Sequence, residues 1–267
     1  ITVEDDLLGT VPVKGVRVVM WSSFLGRRYF AITDSNGSFA LPEGYRTGIY
    51  YKVIWQAPQR EFYLEVEDTG SQASFVTPAR SRLPFNFHIT KTGDPEQWFY
   101  AHIFRGGEFY LNNTFNINPA FNDIPIHTWD RNGTCNYNGT RVKMYSGTSG
   151  GTHRDRSSRG IFKVTIHELA HADHHAFVVG NSCNINNIPI TWSAVQRRIV
   201  EPYAMMIEAF FNDAIYGHVF TEDESRRNFR QRIRISYGAP NNFWEWGKEK
   251  YSPIAIDMID TFDQREE

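Results

Sequence analysis

The residues best suited to chemistry lie in one short motif, His167-Glu168-Leu169-Ala170-His171, which has the form H-E-x-x-H. On a helix, residues four apart lie on the same face, so both imidazoles can reach one metal ion. Glu168 then lies close enough to take a proton from a water bound to that ion. A chain of this composition would contain the motif by chance roughly 0.02 times. The motif predicts a zinc site with His167 and His171 as ligands and Glu168 as general base.

A helix must carry this motif. Apolar residues recur at roughly helical spacing from Ile161 to Phe177. Ser157 and Ser158 can cap the start of the helix, and Gly180 can end it. The segment is almost apolar between its His and acidic positions, so we expect it to be buried on most sides. Buried imidazoles and carboxylates need partners, which a divalent cation supplies. The alternative is a His-rich helix that holds no metal.

The third zinc ligand is not fixed by the motif. A catalytic zinc takes three protein ligands and keeps one position open for water. His174 shares a face with His167 but lies one turn too far along to share the ion comfortably, so we expect an acid on another helix. Glu201 and Glu208 both qualify, and the spacing does not choose between them. Asp213 is better suited to orienting a ligand histidine from behind.

Three stretches carry a resemblance to known proteins: 98–105 (WFYAHIFR), 165–172 (TIHELAHA) and 200–204 (VEPYA). The chain resembles the gluzincin group of zinc peptidases. More closely, it is similar to bacterial exported zincin-like proteins that join a transthyretin-like domain to a peptidase-like one. In those proteins a later helix opens with E-S-W-A, and its acid is the inferred ligand. The resemblance therefore implies that Glu201 is the third ligand, although Pro202 and Tyr203 replace the Ser-Trp of that pattern.

The first 90 residues are rich in strand signals. Alternating β-branched stretches at 16–20, 28–33, 50–55 and 85–89, with a turn at 34–37, favour a small β-sandwich. The patterns PVKGVRV (12–18) and TDSNGSF (33–39) resemble the transthyretin-like, carboxypeptidase-regulatory-type domain. That resemblance implies a structural or recruiting module without catalytic residues.

The pattern changes at the polar stretch 91–95. Helical spacing follows at 96–112, in the motif helix, at 202–216 and at 251–262, whereas 112–139 is loop-like and 141–145 resembles a short strand. The predicted fold class is α+β with two domains. A transthyretin-like β-sandwich is expected over residues 1–90, and a mainly helical zincin-like catalytic domain over residues 91–267.

Composition narrows the classes of partner. The formal charge of −2, with scattered charges, gives no basic patch of the kind that nucleic acid requires. No apolar run approaches the roughly 20 residues that span a bilayer. The start, ITVEDDLL, indicates a trimmed or processed terminus. Together with the resemblance, this predicts an exported monomer, compatible with a lipid anchor upstream. Spacing leaves open whether Cys135 and Cys183 form a disulfide.

The predicted reaction is hydrolysis of a peptide or protein substrate. Zinc would activate water and polarise the substrate carbonyl, and Glu168 would move the proton to the leaving amine. The strand at 141–145 could pair with an extended peptide. The oxyanion donor stays open among a set of Tyr and His residues: His153, Tyr203, Tyr216, His218 and Tyr237. The competing hypothesis is a cell-surface binding module whose zinc site is structural or vestigial.

Overall fold

The computed structural model describes residues 1–22, 28–40, 49–66, 69–77, 86–113, 123–133, 135–138, 140–147, 156–179, 204, 207–208 and 210–217, without the side chains of 22 and 174–179. Its strands are β1 (Thr2–Asp5), β2 (Gly9–Pro12), β3 (Arg17–Ser22), β4 (Arg28–Ile32), β5 (Ile49–Ile54), β6 (Phe62–Val66), β7 (Ser71–Gln72), β8 (Ser74–Val76), β9 (His88–Ile89), β10 (Ile124–Asn132), β11 (Asn136–Tyr137) and β12 (Val142–Gly147). Its long helices are α1 (Pro95–Asn113) and α2 (Ser158–Val179). Residues 204, 207, 208 and 210–216 are also helical; with residue 217 we call them the Glu208 segment. None of the described helices is both long and apolar enough to cross a membrane.

The described strands form three sheets. One has the order β2-β1-β9, a second β4-β3-β5-β8, and the third β11-β12-β10-β6-β7. In the third sheet, β10 runs parallel to both β6 and β12. Helix α1 lies between β9 and β10 in sequence and packs against α2. Buried apolar side chains from all three sheets and both helices form one continuous core.

The predicted fold class is wrong. The described part of residues 91–267 is not a large helical domain, because β10, β11 and β12 lie between α1 and α2. Nor are residues 1–90 a self-contained sandwich, since β6 pairs with β10 and the shared sheet crosses residue 90. The stretch predicted as a loop contains β10. Its polar residues find partners in β6: Thr128 donates to the backbone carbonyl of Glu65, and the His127 ring contacts the Glu65 carboxylate at 2.8 Å.

Elements with local signals are confirmed. Strands β3, β4 and β5 occupy the predicted alternating stretches. In the predicted turn, the Asp34 carboxylate accepts the backbone N–H groups of Asn36 and Ser38, while Gly37 has a φ of 71°. Helix α1 begins where Asp94 caps it by accepting the N–H of Gln97 at 3.1 Å. The alternating pattern at 85–89 shortens to the two-residue strand β9.

Two adjacent glycines bring α1 close to its neighbours. A Cβ on Gly106 would lie 3.0 Å from the Thr165 Cβ on α2. A Cβ on Gly107 would lie 2.6 Å from the Phe62 ring on β6. Glycine weakens a helix by about 1 kcal/mol relative to alanine. Glycine is nevertheless required at these two positions, because no larger residue would let α1 contact both the motif helix and the third sheet.

A buried carboxylate ties the start of the chain to α1 and to the Glu208 segment. Asp5 accepts hydrogen bonds from Arg105 and from the Tyr216 hydroxyl, both at 2.8 Å, and from the backbone N–H groups of Leu7 and Leu8. Burial alone would raise the pKa of Asp5, but the Arg105, Leu7 and Tyr216 hydrogen bonds outweigh it and hold this pKa at about 2. Asp5 is therefore an ionised group in the core.

His102 completes this cluster in its neutral form. Arg105 approaches its Nδ1 at 3.1 Å, and because arginine only donates, Nδ1 must accept. The opposite nitrogen, Nε2, then carries the proton and donates to the carbonyl of Glu4 at 2.9 Å. Burial, followed by the positive charge of Arg105, lowers the pKa of His102 to about 3. Protonation would place a second positive charge against the guanidinium.

We expect Gly107→Ala to lower the free energy of unfolding by about 1–3 kcal/mol, because the added methyl group overlaps the Phe62 ring and outweighs the gain in helix propensity. Gly160→Ala is the matched control. Its Cβ would meet only the Ser157 hydroxyl, at 3.1 Å, and we expect a gain of up to about 1 kcal/mol. Urea denaturation of both variants measures the difference; equal effects would contradict the close approach of α1 to β6.

The neutral His102 predicts a pH dependence of stability. Its folded pKa of about 3 lies below the unfolded value of 6.5, so between these values only the unfolded chain binds the proton. Its contribution is complete above pH 6.5 and is lost as the pH falls. His102→Gln keeps a donor and an acceptor but cannot titrate. Between pH 6 and 4, the free energy of unfolding should fall less steeply with decreasing pH in His102→Gln than in the parent. We expect the two slopes to differ by up to about 1.4 kcal/mol per pH unit.

Denaturant unfolding at several pH values measures this slope. The exposed His88 supplies the control, since His88→Gln removes a histidine without touching the buried cluster. If His102→Gln and the parent lose stability with the same slope, His102 is not held neutral in the folded protein.

Candidate metal centre

Helix α2 presents the motif as its sequence predicts. The Ser157 hydroxyl caps the helix by accepting the N–H of Gly160 at 3.0 Å. Six apolar residues of α2 are buried in the core: Ile161, Phe162, Ile166, Leu169, Ala170 and Ala172. His167 and His171 lie on the remaining strip and are only partly buried. The expectation that α2 is buried on most sides is confirmed, with the two imidazoles on the side that stays accessible.

The two imidazoles converge through the same ring nitrogen. The Nε2 atoms of His167 and His171 lie 3.1 Å apart, and the rings are nearly perpendicular, with an interplanar angle of 86°. Zn–N bonds of about 2.0–2.1 Å in tetrahedral geometry place two ligand nitrogens about 3.3 Å apart. The observed separation is therefore close to the one that two ligands of a single zinc ion require.

Glu208 fixes the tautomer of His167. Its Oε2 lies 3.1 Å from the Nδ1 of His167, and its other carboxylate oxygen contacts the ammonium of Lys163. A carboxylate only accepts, so Nδ1 carries the proton and Nε2 of the neutral ring keeps its lone pair. This is the tautomer that a zinc ligand needs, and a carboxylate behind a ligand histidine is a recurrent feature of zinc sites.

The contact bears on the roles expected of two nearby acids. Glu208 meets His167 at Nδ1, on the side of the ring away from Nε2, which is the position of a group that orients a ligand histidine. The Asp213 side chain is exposed, and Glu208 occupies the position behind His167. Glu201 lies outside the described residues. Within the described ranges, no three His, Cys, Asp or Glu side chains converge to hold a metal.

Glu168 lies on the buried side of α2, with only 6% of its surface exposed. Burial raises the pKa of the Cys135 thiol, and the negative charge of Glu168 also acts to raise it. Cys135 is a free thiol that contacts the backbone N–H of Tyr145 at 3.3 Å. A protonated, buried thiol is a poor zinc ligand. Cys183, whose pairing with Cys135 the sequence leaves open, lies outside the described residues.

Sequence reasoning missed three residues that support the motif. Lys163 is 5% exposed and contacts Glu208; it lies four positions before His167, so helical spacing could have placed it on the same face. Asp173 is buried and accepts a hydrogen bond from the Tyr110 hydroxyl at 2.9 Å, which joins α2 to α1. No local pattern links Tyr110 to Asp173, because they lie 63 positions apart.

Two expected substrate-binding features are wrong. Tyr216, an oxyanion candidate, is fully buried and donates its hydroxyl to Asp5. The strand at 141–145 is not an open edge, because β12 pairs with β10 on one side and with β11 on the other. The remaining oxyanion candidates, His153, Tyr203, His218 and Tyr237, lie outside the described residues, as does the side chain of His174.

Comparison with known proteins gives no family assignment. A scan against protein-family models finds no match, and a search of curated proteins likewise finds none. The interpretation of this centre therefore depends on its own geometry and on the resemblance of the motif.

If Glu208 orients His167, Glu208→Gln should weaken zinc binding about 10- to 100-fold, the usual effect of removing a carboxylate behind a ligand histidine. It also leaves the buried Lys163 without a counter-ion, so the melting temperature of the metal-free protein should fall. Asp213→Asn is the matched control on the same segment and should change neither quantity. Zinc titration and thermal unfolding measure both effects; unchanged zinc affinity in Glu208→Gln would contradict the orienting role.

Proposed function

We propose that the protein is a zinc-dependent peptidase. The observation that carries the proposal is the 3.1 Å separation of the two Nε2 atoms of the H-E-x-x-H motif, with a carboxylate fixing the tautomer of one ring. His167 and His171 are two ligands, and Glu201 is the third, on the grounds of the family resemblance. The substrate is a peptide or protein, and the exported location and monomeric state remain predictions from the sequence.

The donor set fits zinc. Two neutral imidazoles and one carboxylate leave the ion with a net positive charge and an open position. Zinc bound in this way lowers the pKa of a water ligand towards about 7 and polarises a substrate carbonyl. A structural zinc site instead uses a fourth protein ligand in the open position.

The protein's own residues supply the remaining steps. Glu208 and Lys163 form an ion pair behind His167, which holds a proton on Nδ1 and so directs the lone pair of the neutral ring to Nε2. Glu168 accepts a proton from the attacking water on its carboxylate and delivers it to the leaving amine. The apolar side of α2 and its contact with α1 hold both imidazoles in their positions on the helix.

The experiment separates base from ligand. Glu168→Gln should retain zinc and lose about 100-fold or more in turnover, because the amide cannot carry the proton. Glu201→Gln should weaken zinc binding, since a neutral amide oxygen is a poor ligand for a dication. Glu108→Gln, which alters a carboxylate on the surface of α1, is the control and should retain both properties.

Zinc content by mass spectrometry and cleavage of a broad peptide library are the two measurements. A parent protein that binds zinc but cleaves no peptide would favour the binding-module hypothesis. A parent protein that remains zinc-free in excess metal would refute the metal centre itself.

A further inference from the structure

The second sheet, β4-β3-β5-β8, turns one side away from the core. Val18 and Met20 on β3, with Tyr51 and Val53 on β5, point inward and are buried. The alternate residues project outward, and the strand registers place them side by side. We call these residues the outer sheet face: Arg17, Val19, Trp21, Arg28, Phe30, Ile32, Tyr50, Lys52, Ile54, Ser74 and Val76.

The charged residues of the outer sheet face are all positive. Arg17, Arg28 and Lys52 contribute three cations, and none of the residues that define the face is acidic. The whole chain has a formal charge of −2, so with +3 on this face the remainder carries −5. Such a separation of charge orients the protein in an electric field, with this face towards an anionic surface.

The same face also exposes large apolar side chains. Phe30 is 64% exposed and Ile32 40% on β4, and Val76 is 54% exposed on the opposite edge strand, β8. The register brings Phe30, Val19, Lys52 and Val76 into one row across the four strands, in which Val19 is itself buried. Exposed apolar residues that are grouped in this way mark an interaction surface.

Two kinds of occupant fit the face poorly. A second copy docked through the same face would bring like charges together, because a two-fold interface repeats one surface on both sides. Nucleic acid bases stack on open aromatic faces. Here Trp21 and Tyr50 stack on each other, with ring centroids 5.4 Å apart, and the Arg17 guanidinium lies 5.7 Å from the centre of the Phe30 ring.

A lipid surface fits all of these features. Aliphatic and aromatic side chains insert into the interface of a bilayer whether or not their ring faces are free to stack. Trp and Tyr are enriched there. Long Arg and Lys side chains lay their stems along apolar neighbours and hold their charges near the headgroups. Anionic lipids attract each such cation. We propose that the outer sheet face docks the protein onto a bilayer of anionic phospholipid, independently of the metal centre.

The test is co-sedimentation with vesicles of equal parts phosphatidylglycerol and phosphatidylcholine, compared with phosphatidylcholine alone. The full-length protein should bind the anionic vesicles and bind less as salt is raised. Arg28→Glu with Lys52→Glu should weaken binding at least about 25-fold, from about five-fold for each cation lost. Phe30→Ser with Val76→Ser should weaken it about ten-fold while leaving every charge in place.

The control is Arg131→Glu with Lys143→Glu, which makes the same change of charge on the third sheet. It should retain most of the vesicle binding. Circular dichroism and thermal unfolding check that each variant is folded. Absence of binding by the parent, equal losses in the face and control variants, or tighter binding to a single-stranded oligonucleotide than to vesicles would overturn the proposal.

Discussion

An ionised carboxylate in the core is the constraint on which much of this structure depends. Asp5 is stable there only because Arg105 supplies a counter-charge and Tyr216 and two backbone N–H groups supply hydrogen bonds. Asp5 and Tyr216 lie 211 positions apart in the sequence and are brought together by a 2.8 Å hydrogen bond. Tyr216 belongs to the Glu208 segment. Its hydrogen bond to Asp5 therefore also fixes the segment that reaches His167. The first strand of the chain thus helps to position the candidate metal centre.

The parts of the fold that were predictable from sequence are those with local causes. The pairing of β3 with β4 follows from alternation, the turn after β4 follows from Asp34 and Gly37, and α1 and α2 follow from periodicity and capping. Strand β10 was missed because its polar residues are buried against partners on β6, which no local pattern reveals. Gly106 and Gly107 illustrate the same limit. Their cost to helix propensity is visible in the sequence, whereas the close approach that requires them is a property of the packed structure.

The candidate centre divides in the same way. The spacing of His167 and His171 on a helix was sufficient to predict that they face one point, because helical geometry depends only on sequence separation. The position of Glu208 behind His167 was not predictable, since it depends on which nitrogen of His167 the carboxylate meets. A difference of one ring atom separates a metal ligand from a group that orients a ligand. Assigning such roles requires the tertiary structure.

The parallel pairing within the third sheet has a consequence for how the chain folds. Phe62 pairs with Ile124, and between them the chain must form β7, β8, β9 and α1. Parallel pairing over such a separation requires a large loop to close before its contacts are gained, and proteins rich in non-local contacts fold slowly. Helix α2 contacts β11 and β12, which are the last strands of that sheet. The motif helix therefore has its complete docking surface only after the slowest contacts have formed, so the metal centre should be among the last parts of the protein to assemble.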